Sequence, residues 1–241
     1  MRNYQLMQIE NYLDSTYLKT AEQASISESE NKERVINLVR EAISNNFKLV
    51  MIRPKYIELA HKLINDASSK VLIGTVVDFP IGDSCTEEKI NQAKEALDLG
   101  ADEIDYVADY NIYKQKDYIK FDKDIIEGTK LCYESKKTVK WIIETGALSK
   151  EEIKGITQRI SKIVSNNFPG FEKSVFIKTS TGYYGGFGAT IKDVKLMCSV
   201  SGELPIKASG GVSNFSEFTQ MIQAGATRVG TSKAVNIFNR E

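Results

Sequence analysis

Apolar and β-branched residues are gathered into short runs separated by longer stretches in which apolar positions recur every three or four residues. The runs are Leu49 to Ile52, Val71 to Val77, Glu103 to Val107, Val139 to Ile143, Val175 to Lys178, Pro205 to Ala208 and Arg228 to Gly230, with a weaker one around Ile9 to Leu13. Such runs read as strands, and the intervening segments (Glu33 to Ser44, Tyr56 to Ile64, Glu87 to Leu99, Asp117 to Ser135, Lys150 to Asn166, Thr190 to Val200, Ser216 to Ala224) read as amphipathic helices. Strands without polar alternation, each followed by a helix, predict a parallel sheet covered by helices. Eight such units in about 250 residues is the size of a (β/α)8 barrel. The competing doubly wound sheet lacks its expected mark, a Gly-x-Gly-x-x-Gly after the first clear strand. With four prolines and no Ser/Gly-rich linker, residues 1–241 are expected to form one α/β barrel domain.

Composition narrows the classes of function. The 241 residues carry 32 basic and 32 acidic side chains, so no net charge draws the chain to nucleic acid or an anionic membrane. No apolar run approaches the roughly 20 residues that span a bilayer. Residues 1–14 lack the apolar stretch of a secretory signal, and Cys85, Cys132 and Cys198 are odd in number and far apart. Reduced thiols and a cytoplasmic location are expected. The one histidine, His61, falls in a helical pattern and is read as structural or exposed, which argues against paired-histidine zinc sites and Ser-His-Asp chemistry.

Three strands carry charge where burial is expected. Lys178 ends Phe176-Ile-Lys178 and precedes Thr179-Ser-Thr-Gly182; Lys207 stands in Ile206-Lys207-Ala-Ser-Gly-Gly211 on the next strand. With neighbouring strands about 4.8 Å apart, inward-facing lysines would approach closely. Two cations at about 4 Å repel by roughly 4 kcal/mol at an effective dielectric of 20, enough with desolvation to bring one amine toward neutrality. A neutral lysine attacks carbonyls to form a Schiff base. The plainer alternative is two lysines reaching to the barrel rim. Glu103 and Asp105 share one face of an earlier strand, where a carboxylate could move protons or simply form a buried pair. Glycine-rich segments at Thr181-Gly182, Gly210-Gly211 and Gly230-Thr-Ser232 follow late strands, where barrels often hold phosphate, although each alone could be a turn.

Several long motifs in order resemble the deoxyribose-phosphate aldolase family. They are Phe176-Ile-Lys178-Thr-Ser-Thr-Gly182, Ile206-Lys207-Ala-Ser-Gly-Gly211, Gly100-Ala-Asp-Glu-Ile-Asp105, Ile142-Ile-Glu-Thr-Gly146 and Gly225-Ala-Thr-Arg-Val-Gly-Thr-Ser232, joined by Gly74-Thr-Val-Val-Asp-Phe-Pro80 and Leu13-Asp-Ser-Thr16. The resemblance spans nearly the whole chain. It implies a (β/α)8 class I aldolase, free of cofactor and metal, that reversibly cleaves 2-deoxy-D-ribose 5-phosphate into D-glyceraldehyde 3-phosphate and acetaldehyde, as a homodimer. It further implies Lys178 as the Schiff-base lysine, Lys207 as the lysine that perturbs it and Asp105 as the acid of the proton relay. Asp14 matches a supporting polar position, Thr16 of the same motif is a further candidate for substrate binding, and Thr181, Gly182, Gly210, Gly211 and Ser232 fall where the family holds phosphate.

Departures from the family pattern gather at the substrate end. Asp14-Ser15-Thr16 replaces Asp-His-Thr, Met51-Ile52-Arg53-Pro54 replaces Cys-Val-Asn-Pro, and Asp78-Phe79-Pro80 replaces Gly-Phe-Pro. The loop Tyr183 to Thr190 is bulkier, Ser213 stands where arginine is frequent, and Lys233 follows Ser232. Arg53 or Lys233 is therefore expected to supply the charge missing at Ser213. The chain ends at Glu241 without the tyrosine tail of some members, so proton return would rely on water. Two other functions are compatible with the same residues: a related lysine-dependent barrel lyase or acyl-transferring enzyme acting on another phosphorylated aldehyde or ketone, and a non-catalytic phosphosugar-binding barrel.

Overall fold

The computed structural model describes residues 8–241. The expectation about a secretory leader concerns residues of which the first seven lie outside the described part. From the N-terminus the elements are β1 (Leu13–Tyr17), α1 (Ala21–Ala24), α2 (Glu28–Ser44), β2 (Leu49–Ile52), α3 (Ile57–Asp66), β3 (Leu72–Val77), α4 (Thr86–Asp98) and β4 (Glu103–Val107). They continue with α5 (Tyr110–Lys114), α6 (Tyr118–Glu134), β5 (Thr138–Ile142), α7 (Lys150–Asn167), β6 (Val175–Lys178), α8 (Ile191–Cys198), β7 (Ile206–Ser209), α9 (Phe215–Gln223), β8 (Arg228–Thr231) and α10 (Ala234–Phe238). Every strand pairs in parallel with its sequence neighbour, and β8 closes on β1 through Leu13 to Val229 and Asp14 to Gly230. The expected (β/α)8 barrel is the fold.

Seven of the eight expected strands lie within a residue or two of their expected limits. The first does not. Ile9–Tyr12 is a 3-10 turn, and β1 begins at Leu13, where the expected strand ended. Its Asp14 and Thr16 put polar groups at alternate positions, so β1 has none of the apolar signature by which the other strands were found. Helix α2 likewise starts at Glu28 rather than Glu33, because Ser27 and Glu30 form a reciprocal capping box ahead of the first apolar residue. Ser149 and Glu152 do the same for α7.

Apolar burial divides into two regions. The larger lies between barrel and helices, where outward strand residues such as Val50, Ile104, Tyr106, Trp141, Ile177 and Val229 meet Val39, Ala93, Ile125, Ile160 and Phe218. Trp141 stacks on Tyr106 with centroids 4.7 Å apart and donates its indole N–H to Thr129 on α6 at 3.0 Å. A smaller cluster of Leu49, Met51 and Val76 belongs to β2 and β3. The alternate positions on β1 and β4 to β8 carry Asp14, Glu103, Asp105, Lys140, Lys178, Lys207 and Arg228, all buried. One side of the barrel interior is thus aliphatic and the other ionic.

Candidate active site

Strand alternation projects each ionic side chain inward, and the parallel register sets their heights: Lys178 pairs with Lys207 across β6 and β7, and Asp105 with Lys140 across β4 and β5. Asp105 is the hub. Its Oδ2 accepts from Lys178 Nζ at 2.9 Å and from Lys207 Nζ at 3.0 Å, while Oδ1 accepts from Lys140 Nζ at 2.6 Å. Lys207 also lies 2.6 Å from Asp14 Oδ2. Lys140 reaches Glu103 at 2.6 Å, and Arg228 joins Asp14 to Glu103, its Nε donating to Asp14 at 2.7 Å.

The ionisation of these groups follows from that wiring. Burial would raise the Asp105 carboxyl, yet Lys140, Lys178 and Lys207 outweigh it and hold the group well below the usual carboxylate range. Asp14, also opposed by burial, is brought to about 2 chiefly by Arg228 and Lys207. Lys178 moves the other way: burial first, with Lys207 adding to it against the pull of Asp105, lowers its amine to about 8. Desolvation is thus the larger cause and lysine repulsion the smaller, the reverse of the expected order, because both ammonium groups share a carboxylate oxygen that offsets their repulsion.

Above the ring opens a cleft of about 820 Å³ at the C-terminal ends of the strands. Lys178 lies at its base, and Thr16, Thr181, Gly182, Gly210, Gly211, Ser232 and Lys233 are among its lining residues. The loops after β6 and β7 touch backbone to backbone: a Cβ on Gly188 would stand 2.4 Å from the Gly210 carbonyl oxygen. Gly210 itself has φ of 85°, so neither position takes a side chain without the loops parting.

The family model described as DeoC/LacD family aldolase matches residues 12–239. The chain belongs to the DeoC/LacD family of aldolases. It is 38% identical over 231 residues to the deoxyribose-phosphate aldolase of Thermococcus kodakarensis, covering 95% of each chain. Among solved structures, the aldolase QR15 superposes with a TM-score of 0.80 at 30% identity, covering 97% of this chain and 96% of the other. The deoxyribose phosphate aldolase of Aeropyrum pernix, described as tetrameric, gives 0.79 at 25% identity over 96% and 89%.

The aldolase departs from expectation at the rim of the cleft. Arg53 is not among the lining residues: its guanidinium donates to the carbonyls of Leu18 at 2.8 Å and Phe79 at 3.2 Å and lies over the Phe79 ring. It braces the loop after β3 instead of facing the cleft. The cationic side chains among the lining residues at the rim are Lys233, Lys19 and Arg34, of which no motif marked the last two. Arg34 lies on the first turns of α2, far in sequence from the glycine turns with which it lines the cleft.

Other functional candidates were missed for a simpler reason. Lys140 and Arg228 stand inside expected strands and belong to no motif singled out for chemistry; charge at an inward position is the signal they carry. Glu144 follows β5 in left-handed backbone (φ 54°), and its Oε2 accepts from both the backbone N–H and the hydroxyl of Thr181. Burial raises its carboxyl against those two hydrogen bonds. The bulky loop also has a definite place: Tyr183 packs edge-on against Phe79 at 5.1 Å, and Tyr184 and Phe187 are exposed. His61 is exposed on α3, as expected, with Asn65 for a hydrogen-bond partner.

No helix among the described residues is long and apolar enough to cross a membrane.

Proposed function

We propose that this aldolase reversibly cleaves 2-deoxy-D-ribose 5-phosphate to D-glyceraldehyde 3-phosphate and acetaldehyde through an imine on Lys178, acting as a homodimer in the cytoplasm. The reading rests on one observation above all: a buried lysine at the base of the cleft, lowered to about 8, sharing a carboxylate oxygen with a second lysine.

In this mechanism the unprotonated Lys178 amine adds to C1 of the open-chain sugar phosphate, and the carbinolamine loses water to give a protonated imine. Asp105, with Lys207 and an intervening water, takes the proton of the C3 hydroxyl. The C2–C3 bond then breaks, its electron pair passes to the imine nitrogen, and glyceraldehyde 3-phosphate leaves an enamine behind. The same relay returns a proton to C2, and water hydrolyses the resulting imine to acetaldehyde and free Lys178. The phosphate is taken to lie against the glycine turns at Gly182, Gly210, Gly211 and Ser232, with Lys19, Arg34 and Lys233 at the rim. Asp14 and Thr16 support the sugar end.

Incubation with acetaldehyde, reduction with cyanoborohydride and peptide mass spectrometry test this reading. Ethylated Lys178 is expected; labelling confined to exposed lysines would reduce the protein to a phosphosugar-binding barrel. Because the amine must be unprotonated to attack, and its proton is lost above about pH 8, the trapping rate should climb through that region and level off beyond it. A profile that is flat from pH 6 to 9 would contradict it.

The phosphate assignment has its own test. Arg34→Ala and Lys233→Ala should each raise KM for deoxyribose 5-phosphate by about tenfold, the size of one charge-assisted contact, without changing it for unphosphorylated deoxyribose. Arg53→Ala should leave the ratio of the two substrates unchanged. The altered loop Tyr183 to Gly188 favours a second reading, a lyase for another phosphorylated aldehyde or ketone. Trapping on Lys178 without turnover of deoxyribose 5-phosphate would select it.

A further inference from the structure

The buried ionic ring contains two cations, Lys140 and Arg228, that touch neither Lys178 nor the cleft, and the imine mechanism leaves them without a task. Their pairing is uneven in a specific way. Lys140 holds two carboxylates, Glu103 and Asp105, each at 2.6 Å. Arg228 holds two, Asp14 and Glu103. Lys207 holds two, Asp14 at 2.6 Å and Asp105 at 3.0 Å. Lys178 has one, Asp105 at 2.9 Å, through the oxygen that Lys207 also occupies.

We propose that Lys140 and Arg228 are positioning residues that saturate Asp14, Glu103 and Asp105, so that the ring carries one cation more than it has carboxylates and the surplus falls on Lys178. This inference rests on the reading of Lys178 as the imine-forming residue and explains why that lysine, among the buried cations of the ring, is the one released to act as an amine. A lone Lys178–Asp105 pair in a dry interior would hold the ammonium form. Lys140 on Oδ1 and Lys207 on Oδ2 draw on the same carboxylate, and four cations against three anions leave the ring neutral only when one proton is given up.

The groups facing Lys178 agree with that account. Asp105 comes from β4, Lys140 from β5 and Lys207 from β7, and Lys140 acts on Lys178 in the lowering direction although it forms no contact with it. Glu144, beyond the end of β5, also feels Lys178, but its oxygen is engaged by Thr181 and it makes no ion pair with the lysine among the described residues. Asp14 and Glu103 complete the anions and Arg228 the cations, one step removed.

The device makes opposite predictions for opposite charges. The pH dependence of Lys178 trapping by acetaldehyde and cyanoborohydride is measured in the intact protein and in three variants, with folding followed by circular dichroism. Lys140→Met removes a cation, so the half-maximal pH should rise by about one unit. Glu103→Gln removes an anion, so it should fall by a similar amount. The double variant, which restores the balance, should return toward the parent. If both single variants trap Lys178 with the parent half-point, or both move it the same way, the charge account is wrong and the pair serves packing alone. Should Lys140→Met fail to fold, Glu103→Gln decides: a downward shift upholds the proposal and an unchanged or upward one overturns it. Failure of the parent protein to trap Lys178 at any pH is a different result, and removes the imine reading itself.

Discussion

Lys178→Met is expected to lower turnover of deoxyribose 5-phosphate by at least about 10⁴-fold and to abolish reductive trapping by acetaldehyde. The loss is this large because the amine is the covalent partner in every step: without it there is no imine to accept the electron pair when the carbon–carbon bond breaks. Methionine keeps an unbranched side chain one atom shorter than lysine and leaves Asp105 paired with Lys140 and Lys207, so the barrel should fold normally. Stability should rise. Folding depresses the Lys178 amine from the ordinary lysine value to about 8. The unfolded chain therefore binds the extra proton between about pH 8 and the lysine range, and below pH 8 the burial of Lys178 works against folding at full strength. Removing the group relieves that cost, at about 2–4 °C in Tm for each kcal/mol in a chain of this size. Retained turnover in Lys178→Met would end the imine mechanism; a lowered Tm would end the claim that the amine is held at a cost.

Asp105→Asn is expected to separate binding of the aldehyde from turnover. The amide keeps the shape but cannot take the C3 hydroxyl proton, so kcat should fall by about 10²–10⁴-fold. Loss of the negative charge drives Lys178 further toward its unprotonated form, so trapping by acetaldehyde should persist at neutral pH with its half-maximal point moved downward. The same substitution leaves Lys140 and Lys207 leaning on Glu103 and Asp14 alone, and removal of one partner from a buried ionic cluster costs about 3–5 kcal/mol. Urea denaturation should register that loss at pH 7. Near-parental turnover in Asp105→Asn would move the proton relay to another group, and Glu144, buried beside Thr181, would be the next to test.

Lys178, Lys207 and Asp105 were legible because each is a charged residue at an apolar strand's inward position, and because their motifs are long. Thr181, Gly182, Gly210 and Gly211 were legible as turns after late strands. Arg53 was misplaced because a cation next to a proline carries no sign of direction; only the carbonyls of Leu18 and Phe79, fixed by neighbouring strands, turn it aside. Arg34 was invisible because it lies on a helix pattern that any surface arginine would satisfy.

The succession from β2 to β8 with their helices, and the charges those strands carry, can be read from the order of residues, because a period of two and a period of 3.6 are written there locally; β1 carries no such apolar period. Closure of the barrel decided the rest. Asp14 and Arg228, 214 residues apart, become partners only when β8 joins β1. The sharing of three carboxylates among four cations is then a matter of ångströms across the interior. Ionisation depends on those through-space distances and on exclusion of water, and neither exists until the strands have met.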